Sequence, residues 1–92
     1  EAYTAAYFTR GMCYFEQKNF EKAKPNFKSA LNINPKHVLS HEKLGIAHFE
    51  LEEKCEAYKS LKKALDLESQ VANKTAREAP RYLGKMTRNP CL

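Results

Sequence analysis

The stretch GMCYFE, residues 11–16, returns as GIAHFE at residues 45–50. Sliding the chain over itself by this offset of 34 positions extends the match well beyond six residues. Gly11 falls on Gly45, Tyr14 on His48, Phe15 on Phe49, Glu16 on Glu50, Ala23 on Ala57, Phe27 on Leu61, Lys28 on Lys62, Ala30 on Ala64 and Leu31 on Leu65. A fixed period of about this length, with room for two helices per unit, is the mark of stacked helical hairpins.

The periodicity inside each unit is helical, and strand-type alternation is absent. It places helices at about Tyr3 to Glu16, Phe20 to Ile33, Val38 to Leu51 and Cys55 to Leu67. The connections Gln17-Lys18-Asn19, Asn34-Pro35-Lys36 and Glu52-Glu53-Lys54 are short enough to make neighbours antiparallel. Asn19 suits a helix cap because its side-chain oxygen can accept a free amide of the next turn. Pro35 ends the second helix, since it offers no N–H and disfavours helical backbone at Asn34. Pro25 lies past the first turn of that helix, so a bend near Glu21 or a late helix start is expected.

The order Tyr7, Gly11, Tyr14, Ala23, Phe27, Ala30, Pro35 resembles the tetratricopeptide repeat family. A second unit offers His41, Leu44, Gly45, His48, Ala57, Leu61 and Ala64, with Ser69 where proline is usual. Arg10 also departs, standing where the family has an apolar residue. The resemblance implies an all-α fold of antiparallel hairpins in a right-handed α-solenoid, with units at about 4–37 and 38–69. Gly11, Ala23 and Ala30 let the paired helices approach, while Tyr14 and Phe27 fill the flanks. Leu31, Ile33, Leu65 and Leu67 are expected to seal the joints between units. Residues 70–86 read as a degraded third unit or capping helix, with Pro80 either breaking it or starting a short helix. Residues 87–92 read as a frayed tail.

Composition narrows the setting. Ninety-two residues can hold one small domain or a slice of a larger one, and the start at Glu1 without methionine reads as an excised segment lacking a signal peptide. No apolar run approaches the roughly 18 to 20 residues of a membrane span, and the mean hydropathy is -0.70. No membrane partner is expected. Cys13, Cys55 and Cys91 are odd in number and lack CxxC spacing, which argues against a disulfide framework or a zinc ribbon and for a reducing, cytoplasmic location, the nucleus included. The net charge of +5 favours acidic partners without requiring nucleic acid.

Resemblance places the recognition surface on the first helix of each unit: Ala5, Phe8, Met12, Phe15 and Glu16, then Leu39, Glu42, Ile46, Phe49 and Glu50. Helical spacing independently aligns Phe8, Met12 and Phe15 on one stripe. An apolar groove with an acidic edge suits a protein partner offering a peptide or amphipathic helix, in co-chaperone-like fashion. The competing reading is that a capping helix or missing neighbours cover the stripe. The family's carboxylate clamp for chaperone tails would use Phe8, Met12, Lys43, Asn73 and Arg77, of which only Arg77 matches, so the clamp is rejected.

Lys74, Arg77, Arg81, Lys85 and Arg88 would form one basic stripe on a continuous helix, a candidate for RNA, DNA or an acidic surface. The simpler reading is a solvated outer face. A purely architectural segment of a longer chain or multiprotein assembly is a third possibility. His37, His41 and Glu42 are too few for a tetrahedral metal site, so no metal and no cofactor are expected. No base is placed to activate a cysteine and no phosphate-binding loop occurs, so the chain is not read as an enzyme.

Overall fold

The computed structural model describes residues 2–69, 76–86 and 88–92. It contains five helices among those residues: α1 (Ala2–Glu16), α2 (Phe20–Ile33), α3 (Val38–Glu50), α4 (Lys54–Glu68) and α5 (Ala79–Gly84). Helix α1 pairs with α2 and α3 with α4, α2 packs on α3, and α5 lies on α4 and α3. No strand occurs among the described residues. These are two stacked hairpins with a short helix closing the second.

The 34-residue period is also a geometric period. Lys18 and Glu52 occupy the left-handed region, with φ of 61° and 64°. Each is followed by an amide that reaches back five residues: Asn19 N–H to the Tyr14 carbonyl at 2.9 Å and Glu53 N–H to the His48 carbonyl at 2.8 Å. One left-handed residue lets the chain reverse while these bonds occupy carbonyls left free at the helix end. The turn is thus built twice with the same hydrogen bonds.

Close approach within each hairpin has a measurable cause. A Cβ placed on Gly11 would lie 2.7 Å from Cε1 of Phe27, and one on Gly45 would lie 2.7 Å from Cγ of Leu61. Phe27 and Leu61 are fully buried, as are Ala23, Ala30, Ala57 and Ala64. Glycine and alanine therefore set the separation, and the large residue opposite fills the space released.

Two apolar clusters result. Ala23, Phe27 and Leu44 centre the first, with Phe8, Met12, Tyr14, Phe15 and Leu31 against it. Ile46, Leu61, Ala64, Ala76 and Ala79 centre the second, with Phe15, Leu65, Tyr82 and Met86 around it. Leu31 and Leu65 pack as expected at the joints and Leu67 is buried, but Ile33 is exposed. Ile33 is the last residue of α2.

The departures from the repeat pattern also find reasons. Leu44 of α3 is buried against Ala23 and Phe27 of α2. Arg10, its counterpart one unit earlier, lies on an exposed face of α1, where its Nε donates to Asn26 Oδ1 at 2.7 Å. His41 Nε2 donates to the Pro35 carbonyl at 2.8 Å, while the buried His48 donates from Nδ1 to Glu53 Oε1 at 2.7 Å. Glu53 stands where Asn19 stands in the first turn. Asn19 caps α2 by accepting from Lys22 N–H, whereas Glu53 turns to His48 and to Lys24 Nζ, 2.9 Å away on α2. That ion pair ties the first hairpin to the second.

Helix α2 starts at Phe20 and runs through Pro25, so the late start expected of the proline is not taken. The Asn19 cap and the edge-on packing of Phe20 on Phe15, 5.4 Å between ring centres, hold the first turn. Pro25 itself is exposed.

The tail corrects the sequence reading most. Residues 76–78 are non-helical, so a continuous helix to 86 is not formed, while the alternative of a short helix starting at Pro80 agrees with α5, which covers only six residues. Pro80 lies in its first turn, the position where a missing N–H does least harm. Residues 70–75 lie outside the described residues. Cys55 and Cys91, read as unpaired, form a disulfide with Cα atoms 4.7 Å apart. Spacing along the sequence carried no hint of this, because the pairing depends on the tail returning to the first turn of α4.

Candidate partner-binding face

The residues of α1 and α3 expected to face a partner fall into two groups of different character. On α1, Ala5 and Glu16 are exposed and Phe8, Met12 and Phe15 are half-buried. Phe8 rests against Phe27 and His37, with ring centres 5.8 and 5.2 Å away. Phe15 packs edge-on to Phe20 and Phe27, and Lys43 Nζ lies 5.7 Å from its ring centre. Leu39 is half-buried and Glu50 exposed.

On α3 the remaining expected residues are occupied from within. Ile46 is 2% exposed, packed among Leu61, Ala76 and Ala79. Glu42 is 1% exposed. Its Oε2 accepts the backbone amides of Glu78 at 2.8 Å and Ala79 at 3.0 Å. Glu42 and Ile46, expected to be available to a partner, are not, because the segment 76–79 covers both. Phe49 stacks edge-on against Tyr82, 5.3 Å between centres, with Lys85 Nζ over both rings.

Three residues in this covering were missed in the sequence. Buried Glu68 accepts the Ala76 amide at 2.6 Å, and Lys43 bridges to Glu78 Oε1 at 2.8 Å. Cys91 is the third, through its bond to Cys55. Glu68 ends α4 beside Ser69, the position lacking its usual proline, and that irregularity was the one available signal. Burying a carboxylate is costly unless its oxygens are satisfied, and backbone amides with a neighbouring lysine satisfy Glu42.

The basic residues do not form one stripe on a continuous helix. Arg81 is on α5, Arg77 precedes it, Lys85 follows as its cap, and Arg88 lies further on. Lys74 is outside the described residues. All four described ones are exposed. The break follows from the non-helical run before Ala79, which removes the common face that the spacing requires. Arg77, the one match to the carboxylate clamp, is separated from Phe8 and Met12 in kind as well as sequence, since neither supplies a charged donor. Asn73 is also outside the described residues.

Electrostatics inside the face are local. Glu53 is held below the usual carboxylate range by hydrogen bonds from Lys24 and then His48, and Lys24 is raised in turn by Glu53. Burial lowers His37 and His41. The Tyr82 phenol is pushed up by burial, with the charges of Glu50 and Glu78 adding to it. Among the described residues, no group of three or more His, Cys, Asp or Glu is placed to hold a metal ion, and no helix is long and apolar enough to cross a membrane.

Comparison with known proteins agrees with this architecture. The family model described as tetratricopeptide repeat matches residues 4–37, the first hairpin with its exit turn. Heat shock protein STI1 of Saccharomyces cerevisiae is 36% identical over 72 residues, covering 78% of this chain and 12% of that relative's length. The chain thus spans about an eighth of the relative it matches. A matched first hairpin, its turn and glycine contact rebuilt one period later, and this similarity together make the chain a member of the tetratricopeptide repeat family.

Proposed function

We propose that the chain binds a peptide or amphipathic helix of a protein partner along the half of the α1/α3 face that its own tail leaves open. Phe8, Met12 and Leu39 supply apolar contact, with Phe15 beneath and Glu16 and Glu50 at the edge to favour basic neighbours. The observation that carries this reading is the contrast in burial: Glu42 and Ile46 are covered by residues 76–79, while Phe8, Met12 and Leu39 stay partly accessible. Apolar side chains left accessible beside a satisfied core are the usual footing for a partner. The absence of acceptable donors at Phe8 and Met12 argues for apolar anchoring over capture of an acidic tail.

A reducing, cytoplasmic setting fits this role, and it makes the oxidation state of Cys55 and Cys91 a variable.

Titrating labelled chain with a panel of basic amphipathic helical peptides, followed by amide and methyl NMR shifts, tests the proposal. Shifts centred on Phe8, Met12 and Leu39, with Met12→Ala lowering affinity about tenfold and melting temperature only slightly, support it. Shifts centred on Arg77, Arg81 and Arg88 with a DNA or RNA oligonucleotide, and affinity collapsing as salt rises, would favour the basic surface instead.

A further inference from the structure

The non-covalent hold on the tail is small. Helix α5 has six residues, too few to persist without tertiary support. It is fastened by the carboxylates of Glu42 and Glu68 on three backbone amides, by Lys43 on Glu78, and by the Tyr82 ring on Phe49. It packs on α3 and α4 and makes no helix contact with α1 or α2. One covalent tie completes the attachment, from Cys91 to Cys55 in the first turn of α4. Cys91 is exposed, so a reductant can reach the bond, and no other described cysteine shares it, Cys13 being free.

We propose that residues 76–86 and 88–91 act as a redox-latched strap, in which the Cys55–Cys91 bond keeps the second hairpin's part of the proposed binding face closed and reduction opens it. The proposal rests on the groove reading only for its biological meaning. Reduction by a dithiol proceeds with balance: one thiolate attacks a sulfur of the pair to give a mixed disulfide, and the second thiol closes on it. Two electrons pass to the protein, Cys55 and Cys91 leave as thiols with the two protons of the dithiol, and the reductant ends as a disulfide.

The consequence is an entropic one. The bond closes a loop between residues 36 apart in sequence. Releasing a closure of that length lowers the equilibrium for strap docking by roughly 10²- to 10³-fold. Ala76 and Ala79 of the strap share one buried apolar cluster with Ile46, Leu61 and Ala64, and its Tyr82 lies against Phe49. Opening would join this surface to the already accessible Phe8, Met12 and Leu39, lengthening the face that a partner can use.

Amide hydrogen exchange on the full chain tests the latch, comparing the oxidised protein, the same protein with dithiothreitol, and Cys91→Ser. Protection at the Ala76, Glu78 and Ala79 amides should fall by roughly 10²- to 10³-fold on reduction, match that of Cys91→Ser, and leave α1 and α2 unchanged. Unchanged protection at those three amides would overturn the proposal. An equal loss throughout α1 and α2 would also overturn it, since the bond would then be a staple of the whole fold. The readout contains no partner, so failure of the groove reading leaves this result standing, and the reverse.

Discussion

Lys18 and Glu52 adopt the same left-handed backbone conformation, φ 61° and 64°, at the same point of successive hairpins. Neither is glycine, the residue that enters this region without a steric penalty. Both turns are nevertheless fixed by the amide of the following residue. Lys18→Gly and Glu52→Gly should each stabilise the fold by about 0.5 to 1 kcal/mol, the relief of the left-handed conformation exceeding the added freedom of the unfolded chain. Urea unfolding of each single variant and of the pair checks this, with near-additive gains expected.

Gly45→Ala and Gly11→Ala should destabilise, against the helix preference for alanine. The new methyl meets buried Leu61 or Phe27 at 2.7 Å, and at Gly45 also the Leu61 backbone nitrogen at 3.2 Å. Overpacking of this kind costs about 1 to 3 kcal/mol, and the gain in propensity returns up to about 1. Gly45→Ala is expected to cost more, because backbone yields less readily than a side chain. Thermal melts of the two variants decide the order.

Thr4→Val should stabilise by about 0.5 to 2 kcal/mol. The Thr4 hydroxyl is buried without a hydrogen-bond partner, and one period later the same position is Val38. Removing an unsatisfied hydroxyl while keeping the shape recovers its desolvation penalty. A rise in melting temperature would confirm it, and a fall would mean the hydroxyl is satisfied in solution.

Acid should weaken the fold in two stages. His37 and His41 are lowered by burial, so the unfolded chain binds protons first as pH falls below about 6.5, and stability declines from there. Glu53 is lowered by Lys24 and His48, so its contribution is present above about 4.3 and is lost as pH falls through its depressed value. Replacing both His37 and His41 by Gln should flatten melting temperature between pH 7 and 5 while leaving the lower stage, and His41→Gln alone should reduce the slope only in part. A decline that begins only below pH 5 in the parent chain would contradict the histidine stage.

How much of this could be read beforehand follows from where each cause sits in the sequence. The hairpins were legible because their signals are local and repeated: Gly11 and Gly45, Phe27 and Leu61, and Ala23 and Ala30 with Ala57 and Ala64. The stripe of Phe8, Met12 and Phe15 was legible from spacing alone. Its division into open and covered halves was not, because Glu42 and Glu68 capture amides 8 to 37 residues away along a stretch outside the period. The Cys55–Cys91 pairing escaped for the same reason. The bond of His48 to Glu53 could have been suspected from both residues departing from the first unit together.

The most direct test of the account is a proton NMR distance measurement within each hairpin. Strong nuclear Overhauser contacts should join the Gly45 Hα protons to the Leu61 methyl groups and the Gly11 Hα protons to the Phe27 ring, as the 2.7 Å approaches require. Contacts seen in one hairpin and missing from the other, or missing from both, would contradict the claim that small residues set the same helix spacing twice.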